Sequence, residues 1–187
     1  MNPYDSYALQ TALRIREKRG GKISVVSMGP PQAIQVIKKA YAMGVDEGVL
    51  ISDRKFGGAD VLATSYTISQ GIRTMGDFDL ILCGKQTTDG DTAQVGSEIG
   101  EWLNIPSVSN VCCIIETTET SITVKIDMPN DIEIIKIKLP CLLSVDKDIF
   151  QPRLPSYIKK MDTRDRKIRI LSLKDMTDQD ELHYGLN

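Results

Sequence analysis

A chain of 187 residues, 41% hydrophobic and 26% charged, is expected to form one globular domain, or two at most, with enough length for a core that needs no disulfide or metal staples. Its 23 basic and 25 acidic side chains leave a net charge of −2, which excludes a global basic field for nucleic acid or anionic membrane. No apolar run approaches the roughly 20 residues of a membrane span and no basic-apolar signal peptide is recognisable, so the expected location is the cytoplasm.

The first predicted element is a helix. Asn2 can cap it, Pro3 suits its first position, and Tyr7, Ala8, Leu9, Ala12, Leu13 and Ile15 recur at helical spacing until Gly20-Gly21 stops it. Residues 23–28 (ISVVSM) follow as a strand. Gly29-Pro30-Pro31 then turns into a second helix with Ala33, Ile34, Ile37, Ala40 and Tyr41 on one face, closed by Gly44. The alternation repeats with a strand over 48–51, a helix over 59–75, a continuous apolar strand over 79–83 of the kind buried on both faces, and a helix over 92–103. Strands alternating with helices in this way predict an α/β fold, a mostly parallel sheet with flanking helices and right-handed crossovers.

After Pro106 the pattern changes. Residues 111–115, 121–126 and 132–137 read as three strands separated by tight turns, a C-terminal antiparallel β-meander, and 139–145 as a further buried strand with Pro140 at its start. From Gln151 the chain turns polar and basic, with Lys159, Lys160, Arg164, Arg166 and Lys167 against Asp162 and Asp165, and then acidic over 175–181. The expected organisation is an α/β nucleotide-binding domain over 1–150 and an extended C-terminal arm over 151–187.

Neither GxGxxG after a strand nor GxxxxGK[ST] occurs. The informative stretch is Gly84, Lys85, Gln86, Thr87, Thr88, Asp89, Gly90, Asp91, Thr92, Ala93, Gln94, Val95 and Gly96. It leaves the carboxyl end of the most apolar strand and opens a helix, which is where open α/β sheets bind ligands. Backbone N–H groups from Thr92 onward, with the Thr92 hydroxyl, suit a phosphate, whereas Asp89 and Asp91 suit ribose hydroxyls or a helix cap. The same stretch also reads as an acidic, capped loop without a ligand. Ser27-Met28-Gly29-Pro30 is a second strand-to-helix turn that either lines the same site or is an ordinary turn. Cys83, Cys112, Cys113 and Cys141 lie in apolar runs without CxxC spacing and are expected as buried thiols. His183 is the one histidine, so triads and histidine-rich metal sites have no basis and no metal is expected. Asp and Glu are plentiful, but no pair stands isolated in apolar surroundings and nothing resembles an activated Ser or Cys nucleophile, which fits electron transfer or binding better than hydrolysis. The basic arm reads either as a solvated surface or as a docking loop with Leu154, Tyr157 and Ile158 as anchors.

Asn2-Pro3-Tyr4-Asp5, Val25 to Gln32, Ala42-Met43-Gly44-Val45-Asp46 and the GKQ-x-x-DGDTAQVG run from Gly84 to Gly96 resemble the beta subunit of electron transfer flavoproteins over nearly the whole chain. Glu133-x-Ile135 and, four residues on, Pro140-x-Leu142-Leu143 resemble the family's C-terminal signature. The match departs at Ser144 and at Asp127-Met128-Pro129-Asn130. The resemblance implies an adenine nucleotide alpha hydrolase-like fold. It also implies an electron carrier subunit in a heterodimer with an electron transfer flavoprotein alpha subunit, docking acyl-CoA or similar dehydrogenases and not a stand-alone catalyst. The implied cofactor is FAD or AMP, with NAD(H) as electron donor in bifurcating, anaerobe-type members, which the DGDTAQVG wording favours. The matching cofactor-binding positions are Asn2, Pro3, Tyr4, Asp5, Met28 and Gly84 through Val95, and Leu154 matches the family's docking leucine. The family's first strand and C-terminal tail have no counterpart, so the chain is expected to be part of a longer subunit. The alternative is a stand-alone adenine-nucleotide-binding regulator of the universal-stress type, which has no evident need of the meander and basic arm over 111–169.

Overall fold

The computed structural model describes residues 1–88, 92–128, 131–147 and 149–185. The backbone divides into two compact units, one built from Met1–Ile15 and Asp77–Pro152, the other from Arg16–Gly76 and Arg153–Asn187.

The first unit holds the amino-terminal part of α1 (Pro3–Arg19), which opens with its proline at the first position. Its sheet contains β3 (Leu80–Gly84), β4 (Ser107–Thr117), β5 (Ser121–Asp127), β6 (Ile132–Lys138) and β7 (Cys141–Val145), ordered β3-β7-β4-β5-β6. β3 and β4 both run parallel to β7, and β4, β5 and β6 form an antiparallel meander. β7 lies inside the sheet and every one of its residues is buried, four apolar side chains together with Ser144. In β5, Ile122, Val124 and Ile126 face the core and alternate with Thr123, Lys125 and Asp127. These residues pack with Val111, Leu143, Val145 and Ala8 of α1. α4 (Val95–Leu103) packs against β4 and β7.

The second unit has a parallel sheet ordered β1-β2-β8, from β1 (Ser24–Met28), β2 (Glu47–Ile51) and β8 (Arg169–Leu171). Around it stand α2 (Ile34–Met43), α3 (Val61–Arg73) and α5 (Tyr157–Asp162). α3 is capped by Asp60, whose carboxylate accepts from Ala63 N–H at 2.8 Å. Val49, Ile51, Phe56, Leu171, Leu173, Met176 and Tyr184 form one buried cluster. Asp178 ties the end of the chain to α3. It accepts from the Tyr66 hydroxyl at 2.5 Å and from His183 Nδ1 at 2.6 Å, and its carbonyl accepts from Tyr184 Oη at 2.6 Å.

Three expectations change. The single mostly parallel sheet is replaced by two sheets, one wholly parallel and one mixed, because alternation identifies strands but not their partners. β4 begins at Ser107 rather than 111, since its first residues pair with Leu142 and Leu143 of β7. The segment expected as an extended arm carries α5 and β8 and closes the second unit's core through Leu171. Among the described residues no helix is long and apolar enough to cross a membrane.

Candidate functional site

The carboxyl end of β3 is fastened to the first turn of α1. Gly84 N–H donates to Asp5 Oδ1 at 3.1 Å, and Asn2 Nδ2 donates to the Gln86 carbonyl at 2.8 Å. Gly84 is required here by close approach, not by its dihedrals. A Cβ on it would lie 2.6 Å from both the carbonyl carbon and Cβ of Tyr4, and 2.8 Å from the Asp5 nitrogen. Helix backbone cannot step aside to admit it. Lys85 N–H extends the ladder to the Val145 carbonyl at 2.8 Å, and its ammonium reaches Asp146 Oδ2 at 3.0 Å. Asp146 N–H in turn donates to the Val111 carbonyl at 2.9 Å, so the ends of β3, β7 and β4 are linked.

Two groups here have displaced acidities. Asp5 is open to solvent on one side, yet the protein crowded around its carboxyl raises its pKa, against the pull of the Gly84 N–H and Asn2. Burial, with the Asp5 charge beside it, pushes the Cys83 thiol up to about 12. A Cβ on Gly96 would stand 2.7 Å from its sulfur. A thiol held neutral in this way is no nucleophile at physiological pH. Asn2 Oδ1 is buried and has no hydrogen-bond partner. An orphaned acceptor beside a strand end fits a ligand that brings a donor, such as an adenine amino group or a ribose hydroxyl.

The structure brings Asn2, Tyr4, Asp5, Gly84 and Gln86 together, with Lys85 alongside and Pro3 exposed at the helix start. Thr87 and Thr88 follow as exposed residues, and Asp89, Gly90 and Asp91 lie outside the described residues. The expectation that Thr92 opens the helix is corrected. Thr92, Ala93 and Gln94 are exposed ahead of α4, whose first residue is Val95. Ala93 has φ +54°, a left-handed conformation that cannot lie inside a right-handed helix. Met28 belongs to the second unit, at the carboxyl end of β1, partly buried against the cluster around Val49 and Ile51. The four thiols are free, and only Cys141 is fully buried, while Cys113 is exposed, correcting the expectation that all four are buried. Asp146, the partner of Lys85, is a functional position that no motif in the sequence marks. Its signal was position, one residue past a buried apolar strand, as Lys85 stands one past β3.

In the second unit Leu154 is 89% exposed, followed by exposed Tyr157, Ile158 and Met161 on α5. Ser156 N–H donates to the Ala42 carbonyl at 2.9 Å and fixes the start of α5 on the end of α2. Arg166 donates to the carbonyls of Val45 and Asp46, both at 3.1 Å, with its guanidinium 5.0 Å from the Tyr41 ring centre. The apolar side chains are therefore presented on a tethered segment flanked by Lys159 and Lys160.

Residues 1–176 match the family model described as the electron transfer flavoprotein domain. The chain is 40% identical over 186 residues to an electron transfer flavoprotein subunit beta of Clostridium acetobutylicum, covering 100% of this chain and 71% of that protein. It is 42% identical over 177 residues to the caffeyl-CoA reductase-Etf complex subunit CarD of Acetobacterium woodii, covering 94% and 67%. It is also 42% identical over 150 residues to the protein FixA of Azotobacter vinelandii, covering 78% and 53%. The family match runs through the meander and the basic arm, so the stand-alone regulator reading is set aside.

Proposed function

The chain belongs to the electron transfer flavoprotein family as a beta-type subunit, and from that premise we propose that it serves a heterodimer by holding an adenine nucleotide, FAD or AMP, at the carboxyl ends of β3 and β7. The observation that carries the reading is the buried, unpartnered Asn2 Oδ1 beside the Asp5–Gly84 fastening. Asn2, Tyr4, Asp5, Gly84, Lys85 and Gln86 hold the nucleotide, with Thr87 to Val95 continuing the site. A bound flavin supplies the redox chemistry, and NAD(H) is its donor where the complex bifurcates electrons. This chain's residues bind and orient the nucleotide and perform no acid–base step.

The partners are an electron transfer flavoprotein alpha subunit and an acyl-CoA-type dehydrogenase, met by Leu154 and the apolar side chains of α5. The CarD relative is named for a caffeyl-CoA reductase complex, which supports a partner of that chemistry. The chain is to be purified with its alpha-type partner and the nucleotide released by denaturation and identified. FAD in this subunit supports the bifurcating reading, AMP alone rejects bifurcation, and neither one overturns the cofactor assignment. In the same preparation Leu154→Ala should slow electron transfer to the dehydrogenase on the order of tenfold with nucleotide content intact. Equal loss of both would remove the docking role.

A further inference from the structure

The stretch that carries exposed Leu154, Tyr157, Ile158 and Met161 is fastened at both ends. Within α5, positions 157, 158 and 161 fall on one side of the helix. At the entry, Arg153 Nη2 meets Glu17 Oε1, near the end of α1 and in the same unit, at 2.7 Å. At the exit, Arg166 returns the chain to the turn after α2, where Nη1 donates to the carbonyls of Val45 and Asp46. Its guanidinium lies over the Tyr41 ring, and the Tyr41 hydroxyl donates to the Lys167 carbonyl at 3.3 Å. Carbonyls just past a helix carry partial negative charge and favour a cation there. The receiving turn is itself held, since Asp46 Oδ2 accepts from Arg16 Nη1 and from Ile23 N–H, both at 2.8 Å. α5 cannot supply this order alone. It has six residues, none of them buried, against the roughly 12 at which a helix begins to stand by itself.

We infer that Arg166 is a positioning residue for partner docking: by holding the exit of α5 on the turn after α2, it keeps Leu154 and the apolar side of α5 in the arrangement the dehydrogenase meets. The inference rests on the docking reading above and deepens it. A segment ordered before the encounter has less backbone and side-chain freedom to lose on binding. The benefit therefore falls on affinity for the partner and not on the electron-transfer step within the complex. The Arg166 guanidinium is spent on carbonyls of its own chain, so it acts through the apolar anchors rather than on the partner.

The test uses the complex of this chain with its alpha-type partner and varies the dehydrogenase concentration at low and high salt. Wild type is compared with Arg166→Gln, Leu154→Ala and the double variant. Arg166→Gln should raise the KM for the dehydrogenase roughly fivefold, with kcat and bound nucleotide within about twofold and the same KM ratio at high salt. Hydrogen exchange should quicken on the order of fivefold at the Lys160 and Thr163 amides, which donate to the Ser156 and Lys159 carbonyls. The double variant should exceed Leu154→Ala in KM by less than about twofold, because an anchor already removed has nothing left to position. Penalties that multiply, or a KM penalty that vanishes at high salt, would make Arg166 an independent contact or a steering charge and overturn the inference. Unchanged exchange at those two amides would overturn it as well. A normal KM for Leu154→Ala overturns the docking reading and this inference with it, whereas a penalty for Leu154→Ala beside a normal Arg166→Gln overturns the role of Arg166 alone.

Discussion

Gly84 shows how much one hydrogen atom can decide. Its neighbours across the contact are helix backbone, so Gly84→Ala must push the first turn of α1 away from β3. Overpacking of this kind costs about 1–3 kcal/mol, and the urea midpoint should fall accordingly. Gly96→Ala, whose close neighbour is the Cys83 side chain, should cost less. A Gly84→Ala midpoint equal to wild type would show that the helix is not pinned there. In the sequence Gly84 is legible as the start of the loop that leaves the apolar strand, but what approaches it is not, because Tyr4 and Asp5 lie some 80 positions away. Asp146 was illegible for a related reason. A lone aspartate after a strand looks like a turn residue until register sets it beside Lys85.

At the level of elements, the alternation of apolar runs reveals α1 to α4 and β1 to β7, while α4's onset and β8 escape it for separate reasons. The sequence reads as a helix from Thr92, and the left-handed backbone of Ala93 moves the onset of α4 to Val95. β8 is three residues in a basic stretch, too short for any period to show. The contact between α3 and the last described residues makes a pH-dependent prediction. Asp178 holds the His183 pKa above its ordinary value of 6.5, with Asp180 adding to the effect, and the Tyr66 ring stands edge-on at 5.7 Å. The Tyr66 hydroxyl and His183 keep the Asp178 carboxyl down at about 2, and burial raises the Tyr66 hydroxyl to about 12. A histidine whose folded value is raised contributes its full stability below the unfolded value and loses it as pH rises through the folded one. Proteolysis of residues 176–185 should therefore accelerate from pH 6 to pH 8.5. Asp178→Asn should return the single histidine resonance to an ordinary titration and abolish that acceleration. A histidine that titrates normally in the wild type would refute the contact.

For the whole molecule, the division into two units turns a question of domain boundaries into one of dependence. Both units are assembled from separated stretches of chain, so cutting after residue 152 does not trim an appendage. It removes β8 and the buried Leu171, Leu173, Met176 and Tyr184, together about 6–12 kcal/mol of burial at 1.5–3 kcal/mol each, against a typical total stability of 5–15 kcal/mol. Hydrogen exchange on that truncated chain should show the amides of β2 unprotected while those of β4 and β5 remain slow, and protected β2 amides would contradict it. The strand order β3-β7-β4-β5-β6 also has a consequence for how the protein is made. The strand that leaves the ribosome last in this sheet is the one that must go between β3 and β4. At ~5–20 residues per second, β3 waits about 3–12 s, the time to add roughly 60 residues, before its neighbour β7 exists. During that interval a nascent chain displays an apolar strand whose partner β7 is not yet made, which makes residues 80–84 the natural place for a chaperone to hold it.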